Sequence, residues 1–379
     1  MKIIRLLLSS LLLGSLSAIA EPIVQNVTAK QRFPWNGLVD VKFDVVGDVT
    51  EGTYDWNVEL VVVATNRVTG EAWIANNLIG ETGTAEGTHN IMWDMKAQGL
   101  NIKSDDIQFI VTYRRKWNID KSMKYCVIDL SGGSNATKFP VSYLADVPQG
   151  GWSTEHKTSK LVLRLIEPGS FMMQGLYAVT LSKPYYIGVF EVTQKQYQLI
   201  NGGNPSYHNG DMLPVEQVSW NDIRGDSDIH NWPNVKTKGS LSLVGLLSSK
   251  TGLNFDLPTE AQWEYACRAG TTTIYYWGDS MNSLYAHNDR AIHKVGEKKE
   301  NAWGLFDMSG NVYEWCLDWH GQILNGIDPE GALSATYRVR RGGSWAYDES
   351  YCTSGFRNCS PPSKITTSFG FRLALHISK

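Results

Sequence analysis

Past its first twenty residues, this chain has no run of the roughly 20 consecutive apolar residues that a membrane-spanning helix needs, so nothing there reads as a span. Neither sign of charge dominates. Lys and Arg total 35 against 38 Asp and Glu, a formal net charge of -3, which gives no electrostatic footing for nucleic acid or an anionic membrane. There is no internal repeat and no low-complexity tract, which excludes solenoid and fibrous architectures. Cysteines are few and odd in number: Cys126, Cys267, Cys316, Cys352 and Cys359. Any set of disulfides therefore leaves at least one thiol over.

What is present is a hydrophobic fraction of 42%, ordinary for a chain with a real core, and 379 residues, enough for two domains. Fourteen Trp, 17 Tyr and 35 Gly suggest a loop-rich fold packed by large rings. Most of the rings in Tyr275-Tyr276-Trp277 and at Trp315, Trp319 and Trp345 are expected in the core, with carbohydrate stacking as the alternative. Residues 1–20 have the form of an export signal. Lys2 and Arg5 precede the apolar run Leu6–Leu13, and Ala18-Ile19-Ala20 fits a small-x-small cleavage site. The expected mature chain starts at Glu21 and is secreted or periplasmic, off the membrane once cleaved. A membrane anchor is the alternative, but the apolar run is short for a span. No cysteine near the cleavage point supports a lipid anchor. Outside the cytosol, disulfides are allowed.

The fold class expected is α+β. Residues 21–117 predict short strands at Val39–Val45, Val58–Ala64, Gly87–Met95 and Ile107–Tyr113, with turn signals at Thr69-Gly70, Gly80, Gly83 and Gly99. That spacing argues for an immunoglobulin-like β-sandwich serving as an accessory domain. Residues 118–160 are polar and glycine-rich and are expected to connect, with room for a strand at Cys126–Leu130. A second domain is placed at 161–379, opening with the strand Leu161–Ile166 and the turn Glu167-Pro168-Gly169. Its helix signals are few. Thr193 with Gln196 and Thr259 with Gln262 form capping boxes, and Ser219 precedes a third start.

Within this second domain, ordered blocks resemble the formylglycine-generating enzyme (sulfatase-modifying factor) family. They are Gly188–Gln194, Pro214–Trp220, Leu257–Ala266, Asn301–Trp315, Arg341–Trp345 and Gly370–Ala374. The resemblance implies a compact, loop-rich fold related to C-type lectin-like domains. It also implies oxidation of a cysteine in an unfolded sulfatase segment to formylglycine by molecular oxygen, at Cu(I) held by two thiolates. The family places those cysteines two and seven residues after the aromatic of the Gly-Gly-Ser-aromatic block, here Trp345. The second position is Cys352, but the first is Tyr347. A phenol is a hard donor with a pKa near 10 and a poor ligand for Cu(I). Copper chemistry is therefore not expected.

By the same resemblance, Ser344 and Tyr351 line the active site and Asp348 falls where the enzymes place a histidine. Asn311 and Tyr313 belong to the lining, which with Trp345, Tyr347 and Asp348 would form a groove for an extended peptide or small polar ligand; an ordinary polar dip is the alternative. Asp307, Gly310, Val312 and Glu314 match a family calcium loop, and hard oxygen donors suit Ca²⁺. Alternatively, Asp307 and Glu314 cap loops or pair with Arg340 or Arg341. Cys267 matches a position often used for a structural disulfide, with Cys352 or Cys359 as partner; Cys316 is expected as packing.

Four functional readings follow. The first is an exported binding module, non-catalytic or of altered activity, whose partner is an exported sulfatase or another extended peptide. The second is a formylglycine-generating oxidase managing with Cys352 and a non-standard partner. The third is an iron-dependent sulfoxide-type oxygenase. It lacks the added histidine-bearing helical domain, and His156, His208, His230, His287 and His293 show no close helical spacing. The fourth is a displayed ligand binder varying over 346–368.

Overall fold

The structure, a computed structural model, describes residues 23–32, 37–46, 56–67, 72–75, 78–80, 87–100, 107–117, 122–323 and 325–377. The expected export signal at 1–20, and the turn signals at Thr69-Gly70 and Gly83, lie outside the described residues. The chain forms two compact units that meet in sequence between Asn118 and Ile119. No helix among the described residues is long and apolar enough to cross a membrane.

The first unit contains β1 (Ile23–Gln31), β2 (Leu38–Val46), β3 (Trp56–Asn66), β4 (Ala72–Ile74), β5 (Leu78–Gly80), β6 (Gly87–Asp94) and β7 (Ile107–Trp117). They form two antiparallel sheets, ordered β1-β2-β6-β5 and β4-β3-β7. Alternation in β2 turns Val39, Val41, Phe43 and Val45 inward. There they share one core with Ile91 and Trp93 of the same sheet and with Val62, Ala64 and Val111 of the other. Both sheets feed this one core. β1 escaped the sequence pattern because its pairing with β2 slips between Gln25 and Thr28, where Asn26 takes a left-handed conformation and the alternation breaks.

The second unit is mostly β. Its strands are β8 (Tyr125–Asp129), β9 (Val141–Leu144), β10 (Lys160–Ile166), β11 (Gly169–Met173), β12 (Tyr177–Leu181), β13 (Tyr185–Gly188), β14 (Phe255–Asp256), β15 (Tyr313–Trp319), β16 (Gly326–Ile327), β17 (Arg338–Arg341), β18 (Asn358–Ser360), β19 (Phe369–Gly370) and β20 (Ala374–His376). Three sheets result, ordered β14-β20-β13-β10-β8-β9, β11-β12-β16 and β18-β17-β15-β19. The expected connector at 118–160 is corrected here. β8 and β9 are integral to the first of these sheets, with Leu163 opposite Cys126 and Val127 opposite Ser142. β8 matches the strand expected at Cys126–Leu130, while β9, set among polar, glycine-rich turns, gave no such signal.

Four α-helices accompany the described strands: α1 (Gln194–Asn201), α2 (Trp220–Arg224), α3 (Leu243–Thr251) and α4 (Glu260–Arg268). Thr193, Ser219 and Thr259 cap α1, α2 and α4 through boxes completed by Gln196, Asp222 and Gln262. α3 gave no such signal. Ser242 caps it, but the third helical residue is Gly245, whose side chain could only be hydrogen. A Cβ there would lie 2.0 Å from the Gly239 carbonyl oxygen.

All seven residues of β15 are buried. Trp220, Trp263 and Trp315 are sealed in the interior; of the rings expected in the core, Tyr275, Tyr276, Trp315 and Trp319 are buried, while Trp277 and Trp345 are half-buried. Buried guanidinium groups accompany them. Arg338 lies 4.0 Å from the Trp220 ring centre and 3.4 Å from that of Trp319. Arg224 pairs with Asp256, and Arg341 pairs with Glu264.

Candidate functional site

The Gly-Gly-Ser-Trp block leaves β17 through two left-handed glycines, Gly342 and Gly343. A Cβ on Gly343 would sit 2.7 Å from the Cys352 sulfur, so only glycine lets that thiol pack here. Cys352 is fully buried. Burial first, and the Glu349 charge second, push its pKa to about 12, against a lowering contribution from the Ser344 backbone hydrogen bond. A thiol in that state is inert at neutral pH, because the thiolate is the nucleophile and metal ligand. Ser344 is fully buried as well; its Oγ accepts only a long 3.4 Å bond from the Ala346 amide.

Tyr347 is 37% exposed. Its ring packs edgewise on Tyr313 at 5.3 Å and against Tyr351 at 5.3 Å, and Tyr351 in turn meets Phe356 at 4.9 Å. Trp345 donates its indole N–H to the Thr367 carbonyl at 3.2 Å. Asp348 is exposed and pairs with Arg290 at 3.0 Å. Tyr347 and Tyr351 are thus in ring contact, and Arg290 links the Asp348 side chain to the Trp345 backbone. Asn311 and Tyr313 are a correction, because both are fully buried and line no groove. Asn311 donates to Glu191 at 2.6 Å and accepts from the His293 amide at 3.1 Å. Tyr313 lies under Tyr347 with Arg340 4.6 Å from its ring centre. A cleft of about 480 Å³ lies elsewhere, lined by Tyr197, Asn221, Asp226, His230 and Leu241 among others.

The 307–314 loop brings Asp307, Gly310, Val312 and Glu314 together, but not as the calcium set expected. Both carboxylate oxygens of Glu314 accept from Arg372 at 2.6 Å, and one also accepts the Trp263 indole N–H at 2.6 Å. The partner is thus Arg372, not Arg340 or Arg341. Asp307 accepts from the Gly296 amide at 2.6 Å, and its other oxygen has no partner. Burial raises its pKa to about 6 despite that hydrogen bond. With one of its two carboxylates committed to a guanidinium, this donor set does not fit a calcium ion, which takes six to eight oxygens.

The expected bridge from Cys267 is also absent. Cys267, Cys352 and Cys359 are free thiols, as are Cys126 and Cys316. Cys267 donates instead to the Met308 carbonyl at 3.7 Å. Two free, buried thiols cannot stand in for a copper pair unless their sulfurs face one ion, and the partner position is Tyr347.

Sequence spacing also missed one cluster. His287, Asp289 and His293 offer ligand atoms that all lie within 4.8 Å of one another. The rings of His287 and His293 stack at 4.1 Å, and His293 Nε2 lies 2.9 and 3.0 Å from the Asp289 oxygens. A loop, not a helix, creates this meeting. Its backbone is clamped where the Asn311 amide donates to the His287 carbonyl at 2.8 Å and the Arg290 amide donates to Trp345 at 3.0 Å. Gly310 permits the clamp, since a Cβ there would lie 2.2 Å from the His287 oxygen. His287 is 3% exposed, and neither ring nitrogen has a partner. Leaving a buried polar group unsatisfied costs about 1–3 kcal/mol. Burial, with His293 beside it, holds the His287 pKa down at about 3.

A family model described as the sulfatase-modifying factor enzyme 1-like domain matches residues 153–377. Chaperone protein LppX of Paenibacillus barcinonensis is 32% identical over 227 residues, covering 48% of this chain and 78% of that protein. A formylglycine-generating enzyme of Thermomonospora curvata is 27% identical over 260 residues, covering 61% of this chain and 74% of that one. Among solved structures, Treponema denticola variable protein 1 is 28% identical with a TM-score of 0.49, covering 57% of this chain and 95% of that one. The match over 153–377, together with the ordered blocks from Gly188 to Ala374, shows that this chain belongs to the sulfatase-modifying factor family.

Proposed function

We propose that this chain is an exported family member that has set aside copper-dependent oxidation and binds an extended peptide or small polar ligand on the face formed by Trp345, Tyr347, Asp348 and Tyr351. The observation that carries the reading is Tyr347 standing where the enzymes hold a thiolate, beside a Cys352 whose pKa is pushed to about 12 by burial. A lone protonated thiol and a phenol do not grip Cu(I). Half-exposed rings fixed by edgewise contacts suit ligand stacking at low entropic cost. An exported sulfatase segment is one candidate partner, and the first unit, of immunoglobulin-like class in this reading, acts as an accessory domain. The Paenibacillus relative is a chaperone protein, which is consistent with peptide binding.

The test is conversion of a cysteine-containing sulfatase peptide to its aldehyde in the presence of Cu(I) and oxygen, read by mass spectrometry. No aldehyde is expected, and no tight Cu(I) binding. Tyr347→Cys, which supplies the second thiol, is expected to raise Cu(I) affinity at least about tenfold by restoring a two-thiolate donor set. Peptide binding should weaken in Tyr351→Ala. Aldehyde formed by the unaltered chain would overturn the proposal.

A further inference from the structure

We propose that His287, Asp289 and His293 bind one divalent first-row transition metal ion, with zinc the natural occupant to probe. Two imidazoles and one carboxylate are a nitrogen-rich donor set that suits zinc and its neighbours and disfavours calcium. Three protein ligands with the remaining position open is the arrangement of exchange-competent zinc sites.

Two independent observations point to a ligand. The three donor atoms already lie within 4.8 Å of one another, and a tetrahedral ion with bonds of about 2.1 Å draws its donors to roughly 3.4 Å. Small side-chain rotations cover that difference. Separately, His287 is buried with both ring nitrogens unpartnered, a state that coordination relieves. The other two ligands face outward, Asp289 with 55% and His293 with 29% of the side chain exposed, so the ion has an entry path and an open side. It would replace the hydrogen bond between His293 Nε2 and Asp289. The His293 proton then resides on Nδ1, which faces the Glu297 carboxylate at 3.8 Å, the outer partner that ligating histidines commonly have.

The backbone is prepared for such a site. His287 is clamped to Gly310 and Asn311, and the amide of Arg290, between the ligands, bonds to Trp345. The ligand-bearing loop is thus joined through Arg290 to the Trp345–Asp348 segment.

The experiment uses the mature chain, stripped with a chelator and titrated with Zn²⁺ by calorimetry, with Co²⁺ as a visible-absorption probe of coordination. One equivalent of Zn²⁺ is expected, with Co²⁺ giving the bands of a low-coordinate site containing nitrogen ligands. Asp289→Asn and His293→Ala change partly exposed side chains and should leave the circular dichroism spectrum intact while weakening binding at least about tenfold. Absence of Zn²⁺ binding, or binding equally tight in both variants, would overturn the proposal. Cys359→Ser controls for a partly exposed thiol as an adventitious ligand; loss of the equivalent in that variant would also overturn it.

Discussion

Asp318 shows how a single buried group ties stability to pH. It lies in β15 with 3% exposure, and one of its oxygens accepts the Glu260 amide at 2.7 Å, satisfying an otherwise unpaired donor in the first turn of α4. Burial, then the Glu260 charge, raise its pKa to about 7, whereas in the unfolded chain it sits near 3.9. Between those values the folded state holds a proton that the unfolded state has lost, so this group's contribution to stability falls as pH rises from about 4 to about 7. The full penalty, present above that window, is on the order of a few kcal/mol. Asp318→Asn keeps the acceptor and cannot ionise. Urea denaturation at several pH values should find the variant gaining on the wild type across this window; parallel profiles for the two proteins would contradict the assignment.

At the scale of elements, buried ion pairs hold loop to strand. Glu314 of β15 grips Arg372, whose remaining donors reach the carbonyls of Gly188 and Phe306 at 2.9 Å each. Glu314→Gln removes the carboxylate paired with that buried guanidinium and leaves only the more distant Glu191 and Asp307 near it; removing one member of such a pair typically costs about 3–5 kcal/mol. The double variant Glu314→Gln with Arg372→Met should recover part of the loss in a chemical melt, since it removes the stranded charge; no recovery would mean the pair contributes little.

Elements specified by local chemistry were legible in the sequence. β2 reads from alternation, and α1, α2 and α4 read from their caps. α3 was not legible, because its third residue is a glycine that packing demands. β8 was legible as a strand but not as part of the six-stranded sheet, β9 was hidden among polar turns, and the parallel pairing of Val179 with Gly326 has no local signal at all. Site legibility divides the same way. Tyr347 and Tyr351, near neighbours in sequence, do meet in ring contact. Asn311 matched a motif whose lining role depends on exposure, and here it is buried. The meeting of His287 with His293 depends on a loop held by Gly310, which helical spacing rules do not anticipate.

For the whole molecule, the boundary at Asn118 has a practical consequence. A fragment of residues 119–377 carries its own core and sheets and should melt cooperatively without the first unit. A fragment beginning at 161 lacks β8 and β9, leaving apolar β10 as an unpaired edge; it should aggregate or fail to fold. Circular dichroism melts and size-exclusion profiles of the two fragments check this, and equal behaviour would mean β8 and β9 are dispensable.

β20, residues 374–376, lies between β13 (185–188) and β14 (255–256) in the six-stranded sheet. A chain emerging in order from the ribosome therefore waits for Ala374 before β13 and β14 can be joined. Maturation of this unit belongs to the period after synthesis of nearly all its residues. Until then the half-built sheet offers two open slots that a holding factor would have to shield, and a premature stop before residue 374 yields a substrate for proteases rather than a shorter working protein.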